Sequence, residues 1–232
     1  MYNVCTYVNE EYKNGGFPKE NTPFLLVRKG LRMFMLSLIQ ESGAYEQDKS
    51  TLELVTLQLL QMIQMKSQTL YVHSVQVANY AVAIAAKMGL PKGEIELIRH
   101  AACLHDLGLI CLPSTTLMKF PYFNRQELSK YKQHPVFGAS MIENYPCCQP
   151  IIPYIKYHHE RWDGTGFPKH LRGANIPLGA RIIGIADYYV TAIDPSSDTT
   201  LQPRSQIKQD LFRHSGTQFD PDIVKAFIEI LG

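Results

Sequence analysis

Histidines and aspartates at inward-facing positions of apolar helical segments constrain the fold of this chain most. In the segment 70–88, the apolar stripe Val77, Ala81 and Ile84 extends back by four residues to His73. Burying a polar group without a hydrogen bond costs roughly 1–3 kcal/mol, and burying an unpaired charge costs more. The fold must therefore provide a partner for each such residue.

The same pattern recurs on other segments with helical periodicity. The predicted helices are 51–66, 70–88, 93–107 (ended by Gly108), a helix from about Pro153 to His159, and 178–192. The inward-facing polar set is His73, His105, Asp106, His134, His158, His159 and Asp187. Such a set is stable if its members converge on cations, because metal binding offsets the cost of burial.

The order of segments predicts an all-α fold. Helix follows helix from about residue 70, and strand-like alternation is nearly absent. We divide the chain into an N-terminal helical extension, residues 1–50, and a helical-bundle domain, residues 51–232. The extension includes a predicted helix over 24–42. Its role is open: a remnant input domain, a dimerisation helix and a lid are all compatible with the sequence.

The ligand set is large enough for two divalent ions. The first predicted ion has the ligands His73, His105, Asp106 and Asp187. The second has Asp106, as a bridge, with His134, His158 and His159. Two ions about 3.5–4 Å apart can clamp the attacking and leaving oxygens of a phosphate. Imidazole and carboxylate without thiolate suit iron or manganese, and zinc and nickel are compatible as well.

Each residue also has an ordinary structural explanation when it is taken alone. His73 is compatible with a hydrogen-bonded core histidine, His134 with a helix start, and Asp187 with an ion pair to Arg181. The joint occurrence of the seven residues favours the metal site. The remaining histidines lie off the apolar stripes or in polar surroundings and are assigned no role: His100, His170 and His214.

Charge and cysteine usage exclude several classes of partner. Lys and Arg number 23 against 21 acidic residues, a balance that does not favour nucleic acid or an anionic membrane. Charges interrupt the apolar stretch from Phe24 to Ile39, so no membrane span is predicted. The five cysteines have no disulfide or zinc-finger spacing, and no secretory signal is visible. We therefore expect a cytoplasmic location.

The segments that carry the predicted ligands resemble the HD-GYP subgroup of HD-domain phosphohydrolases over residues 70–231. The most specific segment is His158 to Pro168, with the sequence HHERWDGTGFP, and His105-Asp106 and Gly216 to Pro221 also match. The resemblance implies an all-α HD-domain bundle with a two- or three-metal centre held by the same seven residues. It also implies hydrolysis of the bacterial second messenger cyclic di-GMP to linear pGpG or GMP.

Five departures from the family pattern qualify that implication. Thr69 replaces a glutamate that supports a third metal in some members, so two metals are expected. Phe167 replaces the motif's tyrosine, Leu109 a lysine, and Val190 an aspartate. The segment Asp194-Pro195-Ser196-Ser197-Asp198 is acidic where the family has phosphate-binding arginines.

The first functional hypothesis is a dinuclear phosphodiesterase in which Asp106 is a bridging ligand. Arg161 and Arg181 are candidates to neutralise phosphate charge. Alternatively, Arg161 locks its loop and Arg181 is a surface residue. Leu109 cannot deliver a proton to the leaving group. A missing general acid costs about 10²–10⁴ in rate, so slow turnover or a preference for activated aryl phosphodiesters is expected.

The second hypothesis is a catalytically impaired cyclic di-GMP sensor or protein-docking module. In that case the loop 161–168 would contact a partner protein. The apolar residues Leu109 and Val190 favour this alternative, whereas retention of every ligand favours catalysis. A third possibility, a nucleotidase acting on phosphomonoesters, is disfavoured by the Gly-Phe-Pro sequence of the loop.

Overall fold

A computed structural model of the protein describes residues 49–193 and 204–232, which form ten α-helices and three short 3-10 helices without a β-strand. The α-helices are α1 Lys49–Lys66, α2 Gln68–Lys87, α3 Lys92–Leu104, α4 Ser114–Leu117, α5 Arg125–Tyr131, α6 His134–Ile142, α7 Ile152–Tyr157, α8 Leu178–Ile193, α9 Arg204–Arg213 and α10 Pro221–Leu231. The 3-10 helices are Leu107–Cys111, Pro146–Ile151 and Gly173–Asn175. The predicted all-α fold is confirmed.

Helix α2 lies at the centre of the bundle and packs against α1, α3, α8 and α10. It begins after Ser67, whose side chain accepts a hydrogen bond from the backbone of the first turn, and ends before Gly89 at φ +73°. Val77, Ala81 and Ile84 are fully buried, as their spacing predicts. This buried stripe fixes the rotation of α2 and therefore the direction of the rest of the helix.

Helix α3 is shorter than the sequence predicts. It ends at Leu104, so the prediction of a helix through residue 107 is wrong, and His105 and Asp106 lie between α3 and the first 3-10 helix. Gly108 explains the early ending, because the backbone there packs directly on the start of α6. A Cβ at Gly108 would lie 2.0 Å from the carbonyl oxygen of His134.

A second glycine allows a similar approach between α8 and the end of α7. A Cβ at Gly184 would lie 2.6 Å from the carbonyl oxygen of His158. Both close contacts therefore involve the backbone of a predicted ligand. The two glycines let neighbouring helices approach closely enough to bring the ligands together.

Several expectations lie outside the described residues: the structure of residues 1–48, including the helix over 24–42, and the acidic segment 194–198. Within the described ranges, no helix has the length and apolar character needed to cross a bilayer. The division into an extension and a domain stays a prediction.

We expect Gly108→Ala to destabilise the protein by about 1–3 kcal/mol, because the added methyl overlaps backbone that cannot move without shifting α6. Gly93→Ala is the matched control, since nothing lies within 4 Å of the added Cβ and α3 should gain helix propensity. Urea denaturation measures both. Equal unfolding midpoints for the two variants would contradict the proposed contact.

Candidate metal centre

The seven predicted ligands come from five separate segments of the chain and converge beside one cavity of about 870 Å³. His73 lies on α2, His134 begins α6, and Asp187 lies on α8. His105 and His158 directly follow the last residues of α3 and α7. The rings of His105 and His134 are fully buried. Some of the predicted ligands thus lie at helix ends, and the others lie within helices.

One group of ligands surrounds the carboxylates of Asp106 and Asp187. His73 Nε2 lies 3.0 Å from Asp187 Oδ1 and 3.9 Å from Asp106 Oδ2. His105 Nε2 lies 3.4 Å from Asp106 Oδ2 and 4.0 Å from Asp187 Oδ1. These are the four residues predicted for the first ion. The predicted alternative, an ion pair of Asp187 with Arg181, does not form.

The second group contains His134, His158 and His159, and one ring nitrogen from each lies within 4.8 Å of the others. His134 Nε2 lies 3.3 Å from His158 Nε2 and 3.1 Å from Asp106 Oδ1. Asp106 therefore directs one carboxylate oxygen to each group, which is the geometry expected of a bridging ligand.

Backbone carbonyls fix the orientation of three ligand rings. The Nδ1 atoms of His105, His134 and His158 lie 2.6–2.7 Å from carbonyl oxygens three residues earlier in the chain. Those oxygens belong to Ala102, Tyr131 and Ile155. A carbonyl oxygen only accepts, so each Nδ1 carries the hydrogen. A ring that is neutral, or that gives up its second proton to a metal, then presents a lone pair at Nε2.

With neutral rings, this orientation brings hydrogen-bond acceptors together. The Nε2 atoms of His134 and His158 lie 3.3 Å apart, and the buried Nε2 atoms of His105 and His159 have no hydrogen-bond partner. A cation satisfies such groups. Ligand atoms about 2.0–2.2 Å from an ion lie about 3 Å apart, close to the separations found here. The donor set therefore fits divalent metal ions.

In the metal-free site, the pKa of one histidine is raised and those of two others are lowered. Burial opposes the charged form of His105, but Asp106 and Asp187 raise its pKa to about 9. Burial and the ring of His134 lower the pKa of His159 to about 4. Burial and His159 hold the pKa of His158 well below its usual value. Burial disfavours the Asp106 carboxylate, yet His105 and His134 hold its pKa well below the usual range.

Two aromatic residues support the histidine rings. Tyr131 supplies the carbonyl for His134 and packs its own ring 4.9 Å from the His134 ring. Phe167, at the position of the family's tyrosine, stacks on His159 with 4.8 Å between ring centroids. Sequence reasoning did not single out Tyr131. Tyr131 lies three residues before the predicted ligand His134 in a helical segment, and this spacing could have indicated its contact with that histidine.

The loop 161–168 is irregular, as predicted, and hydrogen bonds of the Arg161 and Glu160 side chains stabilise it. The Arg161 guanidinium binds Asp163 and Thr165, which agrees with the alternative that Arg161 locks the loop. Glu160, to which no role was assigned, accepts hydrogen bonds from the backbones of Lys169 and Leu171. Within the loop, Thr165 is exposed, Gly166 is buried and the other six residues are partly exposed. The contact of this loop with a partner protein stays a prediction of the second hypothesis.

Arg181 lines the cavity and is mostly buried, with a side-chain exposure of 17%. It forms an ion pair with Asp220, and its guanidinium lies 5.6 Å from the Trp162 ring centroid. Its buried Nε has no acceptor. The alternative of a surface residue is therefore wrong for Arg181, whereas a positive group at the cavity wall agrees with its predicted role.

The residues that depart from the family pattern lie at or near the cavity. Leu109 lines it and is 4% exposed, whereas Val190 is fully buried within α8. Thr69 also lines the cavity. Leu109 thus gives the cavity an apolar surface where the resemblance predicts a lysine, whereas Val190, at the position of the aspartate, does not line the cavity.

A further cluster of candidate ligands has a different explanation. His100 is buried between α1 and α3 and its ring hydrogen-bonds the Thr56 hydroxyl at 2.9 Å. Its acidic neighbours Glu53 and Glu96 both bind the Arg99 guanidinium. The cluster is an ion-pair network that already contains its cation. His100 stays a structural residue, as predicted.

Comparison with known proteins identifies the family. A family model described as HD domain matches residues 58–223. The chain belongs to the HD domain family. In this HD domain the His105-Asp106 pair lies at the centre of the ligand cluster.

Two named relatives are similar to most of this chain at moderate sequence identity. The 3′3′-cGAMP-specific phosphodiesterase 2 of Vibrio cholerae is 29% identical over 173 residues, which cover 74% of this chain and 33% of that protein. A cyclic di-GMP phosphodiesterase of Thermotoga maritima is 27% identical over 202 residues, 86% of this chain and 54% of that protein. The chain thus spans between a third and about half of the length of these curated relatives.

A solved structure shares the fold. Bd1817, described as an HDG"Y"P protein from Bdellovibrio bacteriovorus, superimposes with a TM-score of 0.59 at 17% sequence identity. The match covers 98% of this chain and 76% of that chain. At this identity the likeness supports the helical HD-domain architecture.

We expect metal-free protein to lose stability on the order of 2 kcal/mol between pH 6.5 and 4.5. The folded-state pKa of His159 is about 4, below the unfolded value, so the unfolded chain binds the proton first as pH falls. His105, with a raised pKa of about 9, stays protonated in this window and loses its contribution only above neutral pH.

Chemical denaturation at the two pH values measures this loss. His159→Gln is the control, and it should lose less stability than the unsubstituted protein over the same window. An unfolding midpoint that does not change with pH would show that the His159 ring is not held neutral in the folded state.

Proposed function

We propose that this HD domain is a divergent HD-GYP member, a dinuclear phosphodiesterase that acts on cyclic dinucleotides. The observation that carries the proposal is the position of Asp106, with one oxygen 3.1 Å from His134 Nε2 and the other 3.4 Å from His105 Nε2. The names of the two relatives, a 3′3′-cGAMP-specific and a cyclic di-GMP phosphodiesterase, support cyclic dinucleotides as the substrate class.

We assign all seven residues as ligands of two divalent ions, iron or manganese being favoured by the imidazole and carboxylate donors. Bound ions would supply Lewis-acid activation of the phosphate and of a water nucleophile. Asp106 would hold both ions at a fixed separation. The backbone hydrogen bonds at Nδ1 of three histidines keep their Nε2 atoms directed to the centre without reorganisation.

The cavity walls supply the positive charge that a phosphodiester requires. Arg181 keeps an unpaired Nε–H beside its ion pair with Asp220, and we assign it to a phosphate oxygen. Arg161 is bound on one side by Asp163 and Thr165, so we assign it to loop positioning with a secondary electrostatic role. The volume, about 870 Å³, lies at the upper end for small-molecule sites.

Turnover should be slow, because Leu109 places an apolar side chain where proton delivery to the leaving group is expected. The same observation favours the second candidate function, a cyclic di-GMP sensor that binds without hydrolysis. The contacts of Asp106 with both groups of histidines favour catalysis over sensing. We also propose a cytoplasmic location, since the described cysteines are free thiols.

We expect Asp106→Asn to abolish detectable hydrolysis of cyclic di-GMP and 3′3′-cGAMP, because a neutral amide cannot bridge two cations. Asp222→Asn, at an exposed position in the first turn of α10, is the matched control and should retain full activity. Product formation is followed by chromatography. Equal activity of the two variants would exclude Asp106 from the catalytic centre, and binding without turnover in the unsubstituted protein would favour the sensor.

A second expectation concerns the leaving group. Bis(p-nitrophenyl) phosphate releases a stable anion, so its hydrolysis should exceed that of cyclic di-GMP by about 10²–10⁴ in kcat, the usual contribution of a general acid. Steady-state kinetics on both substrates measure the ratio. Equal kcat values would show that another group delivers the proton.

A further inference from the structure

The cationic side chains around the cavity differ in the groups that they already contact. Four described cations line it: Lys66, Lys132, Arg161 and Arg181. The two arginines are paired with Asp163 and Asp220. Lys66 lies in the last turn of α1, where the helix dipole favours a positive charge. Lys132 has a different environment.

Lys132 directly follows α5, and its backbone N–H caps that helix by binding the carbonyl of Leu128. The backbone is therefore fixed next to Tyr131, which packs against the ligand His134. The Lys132 side chain is exposed and lines the cavity, so it borders both solvent and the ligand cluster.

The ammonium group of Lys132 contacts an aromatic face. Its Nζ lies 5.5 Å from the Phe167 ring centroid, and Phe167 in turn stacks on the ligand His159. Among the described residues, no carboxylate lies within ion-pair distance of this Nζ. One aromatic ring therefore separates an ammonium group without a carboxylate partner from a predicted metal ligand.

A contact with an aromatic face is weaker at an exposed site than a charge-assisted hydrogen bond to phosphate. The flexible lysine stem lets the ammonium leave the ring and reach an anion in the cavity. The apolar side chain of Leu109 occupies another part of the cavity wall and cannot supply a charge.

We propose that Lys132 is a phosphate-binding residue of this site. Its ammonium donates a hydrogen bond to a non-bridging oxygen of the phosphodiester that lies against the His/Asp cluster. The inference rests on the proposed function, because it takes the cavity to be the phosphodiester site. It adds a residue from the α5–α6 junction to the predicted arginines.

The test compares Lys132→Met with Lys130→Met, which removes a lysine of α5 that does not line the cavity. The chain contains one tryptophan, Trp162, and it lines the cavity, so its fluorescence reports ligand binding there. Cyclic di-GMP is titrated into each protein as purified, and KM and kcat are measured for bis(p-nitrophenyl) phosphate.

Loss of one charge-assisted hydrogen bond should raise the Kd for cyclic di-GMP about tenfold in Lys132→Met. The KM for the aryl diester should rise in the same variant, and the dependence of binding on salt should become weaker. Lys132→Arg should restore most of the affinity. Metal content and the urea unfolding midpoint should not change, because the side chain makes no ion pair.

The outcomes separate the two claims. If the unsubstituted protein binds cyclic di-GMP and Lys132→Met binds it as tightly, the assignment of Lys132 is wrong and the proposed function stands. If the unsubstituted protein neither binds cyclic di-GMP nor hydrolyses the aryl diester, the proposed function fails and the assignment fails with it.

Discussion

The rest of the site depends on three hydrogen bonds from histidine Nδ1 to backbone carbonyls. The carbonyls of Ala102, Tyr131 and Ile155 lie in the last turns of α3, α5 and α7. Carbonyl groups in a last turn have no partner within their own helix. Each histidine binds one of them, and the same bond directs Nε2 of His105 and His134 toward Asp106 and Nε2 of His158 toward His134. The same hydrogen bond thus satisfies a carbonyl at the helix end and orients a predicted ligand.

This arrangement explains why the surrounding backbone is packed so closely. The ligand rings reach one centre only if α6 approaches the first 3-10 helix and α8 approaches the end of α7. Gly108 and Gly184 permit both contacts, because any Cβ there would overlap a carbonyl of His134 or His158. The bundle therefore places buried acceptors together, a state that is costly without a cation and favourable with one.

The sequence is enough to choose the predicted ligands but not to predict how they pack. Periodicity places His73 and Asp187 on inward faces, and α8 ends within one residue of the predicted bound. Local patterns did not predict the end of α3, because it depends on contact between Gly108 and α6. The pairing of Arg181 with Asp220, 39 residues away, is equally invisible to periodicity. Such contacts join residues that are far apart in the sequence, so the local spacing of residues does not reveal them.

The most direct measurement is an anomalous difference map from crystals of the protein as purified, collected at the absorption edge of the bound metal. If Asp106 bridges two metal ions, we expect two peaks about 3.5–4 Å apart, each next to a different oxygen of Asp106. A map without a peak between the ligand rings, with the histidines bound only to backbone or solvent, would contradict it.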